Sequence, residues 1–254
     1  MRTLVVERLT VQIYATDEEL SRDAAADAAA AINAAVQARG VANVMFATGN
    51  SQLGFLDQLI VRSDIDWAAV VGFHMDEYVG ISAAHPASFR RYLRERLVER
   101  THLSAFHYVE GDAPDPEEEC DRYQALLRRH PLDLCCLGVG ENGHLAFNDP
   151  PVADFDDPRD AKVVVLDERC RRQQVGEGHF ATLGDVPPRA ITVTIPALLR
   201  AGRMQAVVPD DRKRVAVHAA LTGPITTACP ASALRTHPDA TLYLDDDSAA
   251  GLPR

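Results

Sequence analysis

The sequence has no apolar run approaching the roughly 20 residues that span a bilayer, so no membrane partner is expected. It is short of positive charge: Lys and Arg number 26 against 37 Asp and Glu, a formal net charge of −11. Such a balance repels nucleic acid and anionic membranes, and at long range it repels phosphorylated metabolites too. Any phosphate site must therefore be local, built from backbone N–H groups and a few placed cations. The five cysteines are an odd number with no metal-ligand spacing, which excludes a disulfide framework and a zinc knuckle. Cys135 and Cys136 sit in an apolar run and read as buried thiols. The start, MRTLVVERLT, lacks the basic-then-apolar layout of a signal peptide, so a cytoplasmic, reduced setting is expected. There is no HExxH or CxxC pair for zinc, no GxSxG elbow of a serine hydrolase, no Walker A loop and no GxGxxG fingerprint. Repeats, low-complexity tracts and linkers are lacking as well. What is present is ordinary globular usage, 46% apolar and 25% charged over 254 residues. This is enough for one domain spanning 1–254.

Short apolar bursts alternate with helical patterns. Thr16 and Glu19 have capping-box spacing before the alanine-rich run 20–39, which Gly40 stops. Strand-like bursts fall at 41–47, 67–73, 132–139, 162–166, 190–195, 204–208 and 241–245. Helical patterns fall at 53–60, at 89–97 (opened by Pro86), at 115–129 and at 212–221. Strands separated by helices predict an α/β fold, with a mostly parallel, Rossmann-like sheet covered on both faces. Ligands of such sheets bind in the loops beyond the strands' carboxyl ends.

Four of those loops carry chemistry. Thr48-Gly49-Asn50-Ser51-Gln52 combines a strand end, a Gly turn and hydroxyls at a helix start. That makes either an anion site or a plain capped turn. His74-Met75-Asp76-Glu77-Tyr78 offers adjacent carboxylates, a source of a general base or a solvated acidic turn. In the segment 138–150, GVGENGHLAFNDP, Asn142, His144 and Asp149 crowd one Gly-rich loop. There a carboxylate can fix an imidazole tautomer and leave the other nitrogen for proton transfer. Lys213 falls in a helix's first turn, against the dipole preference, which clamping an anion would explain. Arg169, Arg171 and Arg172 form a further candidate clamp, or a solvated helix face.

These segments carry a resemblance. FATGNSQLGFLDQL, FHMDEYVGISAAHPASFRRYL, LGVGENGHLAFNDP, VPPRAITVTIPALLRAG and the stretch from KRVAVHAALTGP to TLYLD together resemble glucosamine-6-phosphate deaminases. That sugar-phosphate isomerase family includes 6-phosphogluconolactonases at greater distance. The MDEY…HPxSF and NGHLAFND blocks are specific, and AFND sides with the deaminases. The resemblance implies a three-layer αβα sandwich, no metal and no cofactor. It also implies conversion of glucosamine 6-phosphate and water to fructose 6-phosphate and ammonia. Carried over, Asp76 moves the C2 proton and His144 relays a proton at the ring oxygen. Asn142 and Asp149 orient His144, and Thr48, Gly49, Asn50, Ser51 and Lys213 hold the phosphate. The partner implied is a small-molecule sugar phosphate, with self-association into a homo-oligomer left open. Two other functions compete: a related isomerase or lactonase without deamination, and a non-catalytic sugar-phosphate sensor. Asp76 and His144 together argue against the sensor.

The departures are local. Asp149 stands where the family usually has Glu, and Asn50-Ser51-Gln52 replaces a small residue followed by Thr-Pro. The family's phosphate-binding Arg aligns with Gln174. Arg171, three residues earlier on the same helical face, is the expected substitute. No allosteric amino-sugar site can be matched.

Overall fold

A computed structural model describes residues 1–252 of the chain. The first half runs β1 (Arg2–Val6), β2 (Leu9–Tyr14), α1 (Asp17–Arg39), β3 (Ala42–Phe46), α2 (Leu53–Ile60), β4 (Val70–His74), β5 (Asp76–Tyr78), α3 (Phe89–Arg96), β6 (Ala105–His107) and α4 (Pro116–Arg129). The second half runs β7 (Leu134–Leu137), β8 (Ala161–Val165), α5 (Glu168–Gly176), β9 (Arg189–Val193), α6 (Ile195–Leu198), β10 (Arg203–Val208), α7 (Arg214–Thr222) and β11 (Ala240–Asp245).

Eight strands form the main sheet in the order β1-β2-β11-β10-β7-β3-β4-β6. Only the β1–β2 pair is antiparallel. Successive side chains on a strand face opposite ways, and both directions are buried here. Leu134 and Cys136 of β7 pack with α1, α2 and Leu93 of α3, whereas Cys135 and Leu137 pack with α4, α6 and α7. Helices thus cover both faces, giving the αβα layering expected. All five cysteines are free and buried.

α1 begins as its sequence predicts: the Thr16 hydroxyl accepts from the Glu19 N–H, and Gly40 closes the helix at φ 77°. Its buried face is mostly alanine, which brings the helix close to the sheet.

The structure corrects three expectations. The bursts at 162–166 and 190–195 are not in the main sheet. As β8 and β9 they join β5 in a separate antiparallel sheet, in the order β5-β9-β8. Pro86 does not open α3; it lies in the preceding turn, and Ser88 caps the helix by accepting from the Arg91 N–H. The edge hairpin β1–β2 and the strand β6 were not anticipated.

The small sheet matters because β9 ties two loops together. The Val193 N–H donates to the Met75 carbonyl at 2.8 Å, next to Asp76. Thr192 Oγ1 accepts from the Phe147 N–H at 3.0 Å, and Asn148 Nδ2 donates to the Val193 and Leu145 carbonyls. The loops after β4 and β7 are thereby fixed relative to each other.

Candidate active site

The loops after β3, β4, β7 and β10 meet at the carboxyl edge of the main sheet, around an open cleft. Thr48, Gly49, Asn50, Ser51, Asp76, His144 and Lys213 all line it. Asn142 and Asp149 stand behind His144. Gln173, Gln174 and Glu177 of α5 and its end close one wall.

The β3 loop turns at Gly49, whose φ of 101° is open to glycine at little cost. Residues 50–52 form a 3₁₀ turn that runs into α2, which leaves backbone N–H groups free at the turn's start. The turn is anchored from outside. The Tyr92 hydroxyl donates to the Gly49 carbonyl at 3.0 Å. The buried Gln52 amide donates to Ser51 Oγ at 3.0 Å and to the Val207 carbonyl of β10 at 3.2 Å. Gln52 therefore has a structural task in this chain.

Asp76 and Glu77 are buried and differ in surroundings. On β5 they point to opposite faces. Glu77 accepts from the Ser88 hydroxyl and from the N–H groups of Tyr78, Phe89 and Arg90, so it holds the start of α3. Asp76 lines the cleft, and no described residue donates a hydrogen bond to its carboxylate. Burial, with the Glu77 charge adding to it, pushes the Asp76 carboxyl well above the usual range.

The His144 ring is held by two side chains. Its Nδ1 lies 2.8 Å from Asn142 Oδ1 and 3.0 Å from Asp149 Oδ1, and the Asn142 amide donates to Asp149 at 2.9 Å. The Asp167 N–H donates to the other Asp149 oxygen. Burial pulls the Asp149 carboxyl up, but these hydrogen bonds and the His144 ring outweigh it and hold it low. An ionised Asp149 requires the proton on Nδ1, which leaves Nε2 to meet a ligand. The shorter Asp side chain thus still reaches the imidazole. Gly140 makes room for the ring, since a Cβ there would lie 2.1 Å from His144 Cε1. His144, Asp149 and Cys170 place three donor atoms within 4.8 Å of one another. The Asp149 oxygens are already committed, and burial keeps the Cys170 thiol protonated.

Arg171 is a correction. Its guanidinium donates to the Leu183 and Val186 carbonyls and does not line the cleft. Arg169 donates to the Glu141 carbonyl, and the exposed Arg172 pairs with Glu168. Helical spacing tells which residues share a face but not which face meets the cleft. Gln174 does meet it, with its Oε1 bound to the Tyr78 hydroxyl. Glu177, just past the end of α5, was not anticipated. It lies 3.7 Å from Lys213 Nζ, and Lys213 is one of only two lysines in the chain. Lys213 itself is 5% exposed, and burial lowers its ammonium pKa against the opposing pull of Glu177 and Glu141.

A chain with this fold and cleft has clear relatives. Residues 15–243 match the family model described as glucosamine-6-phosphate isomerases/6-phosphogluconolactonase. A glucosamine-6-phosphate deaminase of Exiguobacterium sibiricum is 37% identical over 205 residues, covering 80% of this chain and 79% of the relative. One from Streptococcus thermophilus is 34% identical over 213 residues, covering 84% and 89%. Among solved structures, a monomeric glucosamine-6-phosphate deaminase superposes with a TM-score of 0.85 at 31% identity, covering 94% of this chain and 98% of that one. A 6-phosphogluconolactonase from Shewanella baltica, 20% identical with a TM-score of 0.78, shares the fold. On this agreement of sequence and fold, the chain belongs to the glucosamine-6-phosphate isomerase/6-phosphogluconolactonase family of enzymes.

Proposed function

We propose that this chain converts glucosamine 6-phosphate and water to fructose 6-phosphate and ammonia. One observation carries the reading. A buried Asp76, whose carboxylate accepts no hydrogen bond from a described residue, and an imidazole oriented by Asp149 open into the same cleft as a buried Lys213.

The reaction needs a proton relay and a base, and no nucleophile on the protein. His144 Nε2 takes the anomeric hydroxyl proton and delivers it to the ring oxygen, opening the ring. Asp76 then removes the C2 proton to give an enolamine and returns a proton to C1. Water adds to the resulting C2 imine and ammonia leaves. A base that must also return its proton works best when its pKa is well above that of a free carboxylate, and burial supplies that. Asn142 and Asp149 position the imidazole. The turn at Thr48, Gly49, Asn50 and Ser51, with Lys213, receives the phosphate on N–H groups and one ammonium.

The test is ammonia release from a panel of hexosamine 6-phosphates, with the ketose 6-phosphate measured in the same samples. The reading predicts equimolar ammonia and fructose 6-phosphate from the glucosamine compound. A ketose formed without ammonia would instead mark an isomerase that does not deaminate.

A further inference from the structure

The end of the cleft expected to receive phosphate already holds an anion. Glu177 Oε1 lies 3.7 Å from Lys213 Nζ and accepts from the Gln173 amide at 2.8 Å. Its Oε2 lies 3.4 Å from His179 Nε2. The side chains of Glu177 and Lys213 are 7% and 6% exposed, so this pair is shielded from water and counterions. The backbone of Glu177 is tied to the same turn, since Asn50 Nδ2 donates to its carbonyl at 3.4 Å. Burial alone would favour the neutral acid, but His179, Lys213 and Gln173 hold the Glu177 carboxyl below its usual range. The carboxylate is thus ionised and seated on the cleft's buried ammonium. The other guanidinium groups nearby are engaged elsewhere: Arg212 with Asp210, Arg169 with the Glu141 carbonyl.

We propose that Glu177 is an internal counter-anion that competes with the substrate's phosphate for Lys213 and so sets the affinity for phosphorylated ligands. The proposal rests on the reading of this cleft as a sugar-phosphate site. Glu177 neutralises a buried lysine that has no other ion-pair partner among the described residues. A phosphate that reaches Lys213 meets a carboxylate a few ångströms away and must displace it or bear the repulsion. Either way, part of the phosphate's binding energy offsets the loss of the Glu177–Lys213 contact. Glu177 thereby selects against anionic ligands that offer too few other contacts, such as free phosphate.

The experiment compares the wild-type chain with Glu177→Gln, which keeps the shape and removes the charge. Two readouts are taken: the calorimetric Kd for inorganic phosphate and the steady-state KM for glucosamine 6-phosphate. Removing a like charge from a desolvated anion site should tighten both by roughly 10–100-fold. The gain should fall on KM and Kd rather than on kcat. Glu177→Ala provides a second route if the amide packs badly, and a circular dichroism melt checks folding. In Lys213→Ala/Glu177→Gln the gain should largely disappear, because the contested group is gone. Unchanged or weaker phosphate binding in folded Glu177 variants would overturn the proposal, as would a full gain that survives without Lys213. If wild type does not turn over glucosamine 6-phosphate, the proposed reaction fails. The phosphate titration still decides the role of Glu177.

Discussion

Asp76 and Glu77 adjoin in sequence, and the pleat of β5 sends them to different work. Glu77 has its charge met by four donors, the Tyr78 N–H on β5 and, at the start of α3, the Ser88 hydroxyl and the Phe89 and Arg90 N–H groups, and the Arg90 guanidinium is 3.5 Å away. Removing Glu77 leaves these buried N–H groups and the Ser88 hydroxyl without their acceptor, while Arg90 keeps Glu110 and Asp112. With each unsatisfied buried donor costing about 1–3 kcal/mol, Glu77→Ala should cost about 3–5 kcal/mol in total, measured by urea unfolding. Asp76 is the opposite case. In the unfolded chain it ionises in the ordinary carboxylate range, while in the fold burial and Glu77 raise its pKa well above that. Between the two values the folded state holds the extra proton. The stability associated with that proton is lost as pH rises through the folded value. Asp76→Asn should raise the Tm near neutral pH, with the gain shrinking as pH falls into the ordinary carboxylate range. A variant less stable than wild type at neutral pH would mean that the carboxylate has favourable contacts in the fold. The DE pair was visible in the sequence. Which of the two carboxylates faces the cleft depended on β5 being a strand, and three residues are too few to show a period of two.

At the scale of elements, β9 and the β7 loop carry the geometry. Thr192 is fully buried, and its hydroxyl accepts the Phe147 N–H while donating to the Val193 carbonyl. Thr192→Val is nearly isosteric and leaves that N–H without a partner, at a cost of about 1–3 kcal/mol in denaturant unfolding. Gly140→Ala places a methyl on the imidazole, so His144 must shift by more than an ångström. Misplacement on that scale costs around 100-fold in rate, so kcat should fall by about that factor with KM little changed. A Gly140→Ala enzyme with unaltered kcat would show that the ring need not sit where the structure has it. The crowded β7 loop and the α1 caps were legible because their residues act locally. The small sheet was not. The apolar runs of β8 and β9 are short and β-branched, as buried parallel strands are, and nothing within them records the direction of the partner. The position of α5 was equally hidden. Periodicity groups Arg171 with Gln174, but packing turns Arg171 toward the Leu183 and Val186 carbonyls. The cleft goes to Gln173, Gln174 and Glu177.

For the molecule as a whole, a net charge of −11 opposes the approach of a sugar phosphate, and within the cleft Glu177 sits beside Lys213. Screening weakens the long-range part first. The association rate constant for the phosphorylated sugar should rise roughly 2–10-fold from low to physiological ionic strength, as followed by stopped flow. A fall in rate with salt would mean that local cations outweigh the global field. Affinity then depends on short-range contacts, among them Lys213. Lys213→Ala should weaken binding of the phosphorylated sugar by roughly 10–150-fold and leave the unphosphorylated sugar unaffected, as read by KM or calorimetry. The most direct test of the account is ammonia release from glucosamine 6-phosphate by wild type and Asp76→Asn side by side. The account predicts turnover by wild type and a kcat lower by ~10²–10⁴-fold in the variant, with KM little changed and the fold intact. A folded variant that keeps more than half the wild-type kcat would contradict it.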